Sequence, residues 1–139
     1  MGDIDFCSEQ SEFILSDQLK HSDWLVELIA HHGFKCGDLS VIFCSDEYLL
    51  KMNIEHLNHD YYTDVITFNY VQGKVINGDI FISVDRVEDN AKEFHCNFAE
   101  ELRRVMAHGL LHLLGFDDKD EASIAAMRKG ESHALKMYK

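Results

Sequence analysis

Apolar residues recur along this chain in two rhythms, one near helical spacing and one typical of buried strands. "IDFCSEQ", near the start, predicts a short strand. In "SDQLKHSDWLVELIAHHG", Leu19, Trp24, Leu25, Leu28 and Ile29 recur at roughly helical spacing. Ser16 or Asp17 stands where a cap is needed, and Gly33 where the helix would stop. "LSVIFCS" (39–45) is short, β-branched and aromatic, which predicts a buried strand. "SDEYLLKMNIEHLN" predicts a helix capped by Ser45 or Asp46, with an apolar stripe through Leu49, Met52 and Leu57.

Beyond the loop "NHDYYT", the segments "DVITFNYV" and "VINGDIFISV" read as strands joined by a turn at "QGK". A helical stretch begins near Asp85, pauses around Cys96 and Asn97, and resumes as "FAEELRRVMAHGLLHLLG". "DEASIAAMRKGESHALKMY" predicts a last helix with Gly130 as its weak point. The order β-α-β-α-β-β-α-α-α predicts an α+β fold: a small mixed β-sheet of about four strands covered by helices. Trp24 and Phe43 belong to its core.

Composition narrows the picture. No linker, repeat or low-complexity run divides the 139 residues, so a single domain over 1–139 is expected. Proline is absent, leaving the turns to glycine, asparagine and aspartate. The first residues lack the pattern of a secretory signal, and no apolar run approaches the roughly 20 residues that span a bilayer. Cys7, Cys36, Cys44 and Cys96 form no C-x-x-C pair, which fits idle thiols in a cytoplasmic protein with no membrane partner. A net charge of −12 argues against broad, nonspecific nucleic-acid binding. It leaves room for a local basic groove, or for a basic protein partner.

The chemistry concentrates in "HGLLHLLGFDD" (108–118). His108 and His112 are four apart, so on a helix they share a face and can reach one cation. Gly115 can end that helix in a left-handed conformation and swing the chain back, bringing Asp118 to the histidines from outside. Three protein ligands with a fourth position open mark a catalytic zinc site; structural sites are closed by four. On spacing alone, such a histidine pair is more often packing, but the glycine and carboxylate at fixed offsets favour a metal. Imidazoles among Leu110, Leu111, Leu113 and Leu114 also need polar partners, which a metal supplies. Asp117 competes for the third position but reads better as a hydrogen-bond partner of an imidazole N–H. Asp120 and Glu121 suit the cap and first turn of the next helix. Gly109 stands where H-E-x-x-H peptidases carry their general base.

These residues resemble the YbeY family of metal-dependent endoribonucleases. The family pattern H-G-x-L-H-L-x-G-[YF]-D-H is matched by His108, Gly109, Leu111, His112, Leu113, Gly115, Phe116 and Asp117. "MN" (52–53), "TDVITF" (63–68) and "GDIFIS" (78–83) resemble three further family stretches, in order. The resemblance implies one metal, usually zinc, held by three side chains on a helix of the C-terminal half and its following turn. It also implies single-strand cleavage in rRNA maturation, at the 3′ end of small-subunit rRNA, and ribosome quality control. Expected partners are then rRNA, the small ribosomal subunit and a basic ribosomal protein. The metal ligands carried over are His108, His112 and Asp118. Thr63 and Asp64 are candidates for the groove wall, or simply a turn and the first residue of a strand.

The chain departs from the family at four positions. Asp118 replaces a third histidine, Leu57 stands where an arginine is usual, and Tyr62 and Asn69 replace prolines. Leucine cannot hold a phosphate, so weak activity on naked RNA is expected. His56 and His59 can partly substitute when protonated. Arg86, Arg103 and Arg104 can supply phosphate contacts, although solvated salt bridges with Glu100 and Glu101 are the expected role of the last two. His95 and His133 read as surface or capping residues, and Lys74 as solvent-exposed. Two other readings remain: a zinc-dependent peptidase-like hydrolase, which Gly109 counts against, and a non-catalytic ribosome-assembly factor with a structural metal.

Overall fold

A computed structural model describes residues 3–138; the expected domain limits, residues 1 and 139, lie outside it. The elements run β1 (Ile4–Glu9), α1 (Gln18–His31), β2 (Lys35–Cys44), α2 (Asp46–Leu57), β3 (Val65–Asn69), β4 (Val75–Ser83), α3 (Val84–Glu93), α4 (Phe98–Leu113) and α5 (Glu121–Met137). This is the expected order. Strand order in the sheet is β1-β2-β4-β3. β1 and β4 each pair with β2 in parallel, and β3 pairs with β4 antiparallel. The fold is therefore α+β with a four-stranded mixed sheet.

Alternation along the strands divides the sheet into two faces. Leu39, Val41, Phe43, Ile76, Ile80 and Ile82 enter the main core with α1 and α4. Cys44 and Ile66, with Phe68 and Phe81, meet Leu49 of α2 on the opposite side. α4 is the central helix. Leu102, Val105, Met106, Leu110, Leu111 and Leu113 are all buried, so it has a broad apolar face beside one polar stripe, and it packs against α5.

Local signals explain most boundaries. Ser45 accepts from the Tyr48 N–H at the start of α2, and Asn97 from the Glu100 N–H at the start of α4. Asp120 does the same for Ser123, so it caps α5 as expected. Asp17 precedes α1 in the left-handed region and makes no side-chain cap bond; its carbonyl accepts from His21 instead. β2 begins at Lys35, ahead of the predicted strand, because the Lys35 N–H bonds to the Lys74 carbonyl beside β4. Gly130 does not weaken α5, which runs unbroken. A Cβ there would lie 3.1 Å from Leu111 Cδ1 and 3.2 Å from Phe116 Cε2, so the glycine lets α5 sit close on α4.

Two residues assigned to apolar stripes face solvent: Leu19 is 76% exposed and Leu57 42%. Trp24 and Phe43 lie in the core as expected. All four cysteines are free, and burial, followed by the charges of Asp85 and Asp46, pushes the Cys44 thiol up to about 12. Among the described residues no helix is long and apolar enough to cross a membrane.

Candidate metal centre

The last turn of α4 and the bend beyond it bring three side chains together. Gly115 adopts φ +102°, and the N–H groups of Gly115 and Phe116 bond back to the carbonyls of His112 and Leu111. That closure turns the chain so that Asp118 returns to the histidine face. Nε2 of His108 and Nε2 of His112 stand 3.1 Å apart. Asp118 Oδ2 is 3.5 Å from each of them. Two ligands of one tetrahedral zinc, bonded at about 2.0–2.1 Å, are about 3.4 Å apart. The donor set and its spacing therefore fit a zinc-sized cation, and these three residues can hold a metal ion. Among the described residues three protein donors converge, so a four-coordinate ion held there would keep one position for another group.

The group opens into a groove of about 490 Å³, whose lining includes Asn53, Thr63, Asp64, Tyr61 and Lys119. Asn53, 1% exposed in α2, organises the opposite wall. Its side-chain amide donates to the Tyr61 carbonyl at 2.9 Å, and its own carbonyl accepts from the His59 N–H at 3.1 Å. The His59 and Tyr61 rings stack at 5.1 Å, with Tyr61 Oη 2.9 Å from His59 Nδ1. Thr63 and Asp64 lie in the wall just before β3. Burial raises the Asp64 carboxyl pKa above its ordinary value, against the opposing pull of Arg104 and His108.

Asp117 does not support an imidazole. Its Oδ1 accepts the Asp118 N–H at 2.8 Å and holds the bend instead. That part falls to Glu131 of α5, whose Oε2 lies 2.6 Å from Nδ1 of His108. Burial by itself lowers the His108 pKa, but the Glu131 hydrogen bond and the charges of Glu131, Asp64 and Asp118 outweigh it, and the net shift is upward. Burial raises Glu131, but the bond from His108 and the Arg104 charge hold it below the usual carboxylate range. Glu131 was missed from sequence although it left a trace. It falls between Met127 and Ala134, both buried, on the helix face that should be apolar.

None of the three candidate arginines lines the groove, and two of them are held by carboxylates. Arg104 forks onto Glu101 at 2.9 and 2.6 Å and reaches Glu131 at 3.1 Å. Its pair with Glu101 was expected, but Glu101 is 2% exposed, so the pair is buried rather than solvated. Arg103 pairs with no Glu100 and lies 4.2 Å over the Tyr138 ring. Arg86 binds Asp46 at 2.6 Å beneath Tyr62. Of the histidines suggested to replace an arginine, His59 lines the groove, and His56 packs edge-on against Phe68. His133 packs tilted against His31, His95 sits exposed at the break before α4, and Lys74 lies over Phe34.

Residues 3–139 match the family model described as Endoribonuclease YbeY. Among curated relatives, Endoribonuclease YbeY of Flavobacterium johnsoniae is 48% identical over 129 residues, covering 93% of each chain. Endoribonuclease YbeY of Cytophaga hutchinsonii is 46% identical over 138 residues, covering 98% of this chain and 96% of its own. The solution structure of TM1509 from Thermotoga maritima has the same fold: TM-score 0.68 at 24% identity, over 97% of this chain and 88% of that one.

Proposed function

The chain belongs to the YbeY endoribonuclease family, and from that premise we propose that it cuts single-stranded RNA beside one zinc ion held by His108, His112 and Asp118. The observation that carries the reading is the convergence of two imidazole nitrogens and a carboxylate oxygen, mutually 3.1–3.5 Å apart, at the head of an open groove. The metal, when bound, supplies Lewis acidity for a phosphoryl oxygen or acidifies a coordinated water.

The chain's own residues do the rest. His108 and His112 offer imidazole nitrogens, and Asp118 would offset part of the cation's charge, making the site less electrophilic than an all-histidine one. Asp64, its carboxyl raised by burial, holds or passes a proton at the groove wall. Thr63 supplies a hydroxyl beside it. Lys119 is the one lysine or arginine among the described residues lining the groove, and Leu57 lies at its rim. Phosphate affinity is therefore low, and a ribosomal context supplies the orientation that the groove does not. This agrees with a role in rRNA maturation, at the 3′ end of small-subunit rRNA, and in ribosome quality control. A net charge of −12 suits a cytoplasmic protein that docks on a basic ribosomal protein.

The test is elemental analysis of the purified protein with a cleavage assay on an unpaired RNA. H112A and D118A are expected to lose zinc and to cut at least about a hundredfold more slowly, at unchanged helical content. Undiminished cutting by H112A, or by protein stripped with a chelator, defeats the reading.

A further inference from the structure

We infer that Glu131 is a positioning residue of the metal centre, and that Arg104 fixes it in that role. The inference rests on the metal site proposed above and extends it to α5. A neutral imidazole carries its proton on either nitrogen, and only the unprotonated one binds a metal. Nδ1 of His108 lies 2.6 Å from Glu131 Oε2, a carboxylate oxygen that can only accept. The proton therefore sits on Nδ1, and the Nε2 lone pair faces His112 and Asp118. A carboxylate behind a ligand histidine also makes it a stronger donor.

The carboxylate itself has little freedom. Its side chain is 9% exposed, and Oε1 accepts from Arg104 at 3.1 Å. The Arg104 guanidinium is pinned in turn by the buried Glu101, and one of its nitrogens lies 3.7 Å from Asp64. A single guanidinium thus joins the groove wall, α4 and α5. Among the described residues no carboxylate meets Nδ1 of His112, so the two histidine ligands are unequal by construction. Glu131 touches neither substrate nor reacting atoms; it acts through His108.

The wild-type chain provides the first test. Nitrogen–proton correlation spectra of the metal-free protein at mildly alkaline pH are expected to show His108 protonated at Nδ1. A proton on Nε2 overturns the inference. The second test is zinc affinity, by competition with a chromophoric chelator, and the visible absorption of the cobalt-loaded protein. E131A is expected to bind zinc about 10- to 100-fold more weakly with a changed cobalt spectrum, while E131Q, which keeps an acceptor oxygen, loses less. Their kcat is expected to fall with KM for RNA nearly constant. Unchanged zinc affinity and cobalt spectrum in a destabilised E131A mean that Glu131 only packs, and overturn the inference. If E131A does not fold, the tautomer and E131Q decide. Wild type that takes up no cation defeats the reading of the centre itself; wild type that binds zinc no better than E131A defeats only the part given to Glu131.

Discussion

Gly109 lies so close to Ile80 that a Cβ at position 109 would stand 2.8 Å from its Cγ2. Val65 and Thr67 would meet the same atom at 3.2 and 3.4 Å. Ile80 is fully buried on the central strand β4, so nothing there can yield cheaply. The residue after the first histidine therefore faces the sheet, and the glycine is what lets α4 settle on it. This removes the peptidase reading on geometric grounds, since a base placed there would enter the core. G109A is expected to lower stability by about 1–3 kcal/mol, measured by urea titration, and G109E to leave no folded protein.

The paired shifts of Glu131 and His108 set a pH window for the metal-free protein. Glu131 is held low when folded, so its contribution is present above the ordinary carboxylate range and lost as pH falls through its folded value. His108 is held high, so its contribution is full below the ordinary imidazole value and lost as pH rises through its folded one. Asp64 works against Glu131 on the acid side, because burial makes its ionisation unfavourable to folding and its cost grows as pH rises from the ordinary carboxylate value through its folded one. Urea midpoints in the presence of chelator should peak between about pH 4.3 and 6.5 and decline on both sides. E131Q should have a shallower acid-side decline, since Asp120 is also held low by its hydrogen bonds from Ser123, and a smaller alkaline one. An acid limb identical to wild type would disprove the pairing.

Removing the guanidinium should be costly. R104M leaves Glu101 and Glu131, 2% and 9% exposed, without their shared cation. Breaking a buried pair from one side costs about 3–5 kcal/mol, and the urea midpoint should fall accordingly. A loss under about 1 kcal/mol would mean the cluster is as weakly coupled as a surface pair.

Leu57 offers the converse experiment, a gain. It is 42% exposed and lines the same groove as the histidines. L57R places a guanidinium there, and one charge-assisted bond to phosphate, about 1.5–3 kcal/mol, should raise kcat/KM on bare RNA roughly 10- to 100-fold. Single-turnover cleavage of a short unpaired RNA checks this, and no gain would show that phosphate holding is not what limits the wild type.

Much of this was legible because it is written locally. The caps at Ser45 and Asp120, the bend at Gly115 and the approach of Asp118 to His108 and His112 each depend on a few neighbouring residues. What escaped is set by distant packing. Glu131 is 23 positions from His108 and meets it only because α5 folds back on α4. Asp117 was given its part because it was near in sequence, whereas its carboxylate is taken up by the backbone one residue on. Leu19 and Leu57 show the matching error on the apolar side: a stripe's spacing indicates a helix face, not whether another element arrives to cover it.

The chain's one tryptophan, Trp24, is 2% exposed, and its indole N–H donates to the Ala134 carbonyl at 2.7 Å. That carbonyl lies on α5, one helical turn beyond Glu131. The molecule therefore contains an intrinsic fluorophore wired to the same helix that steadies His108. A red shift in its emission under mild denaturant, arriving before the sheet melts, would time the lifting of α5, and zinc release should keep step with it.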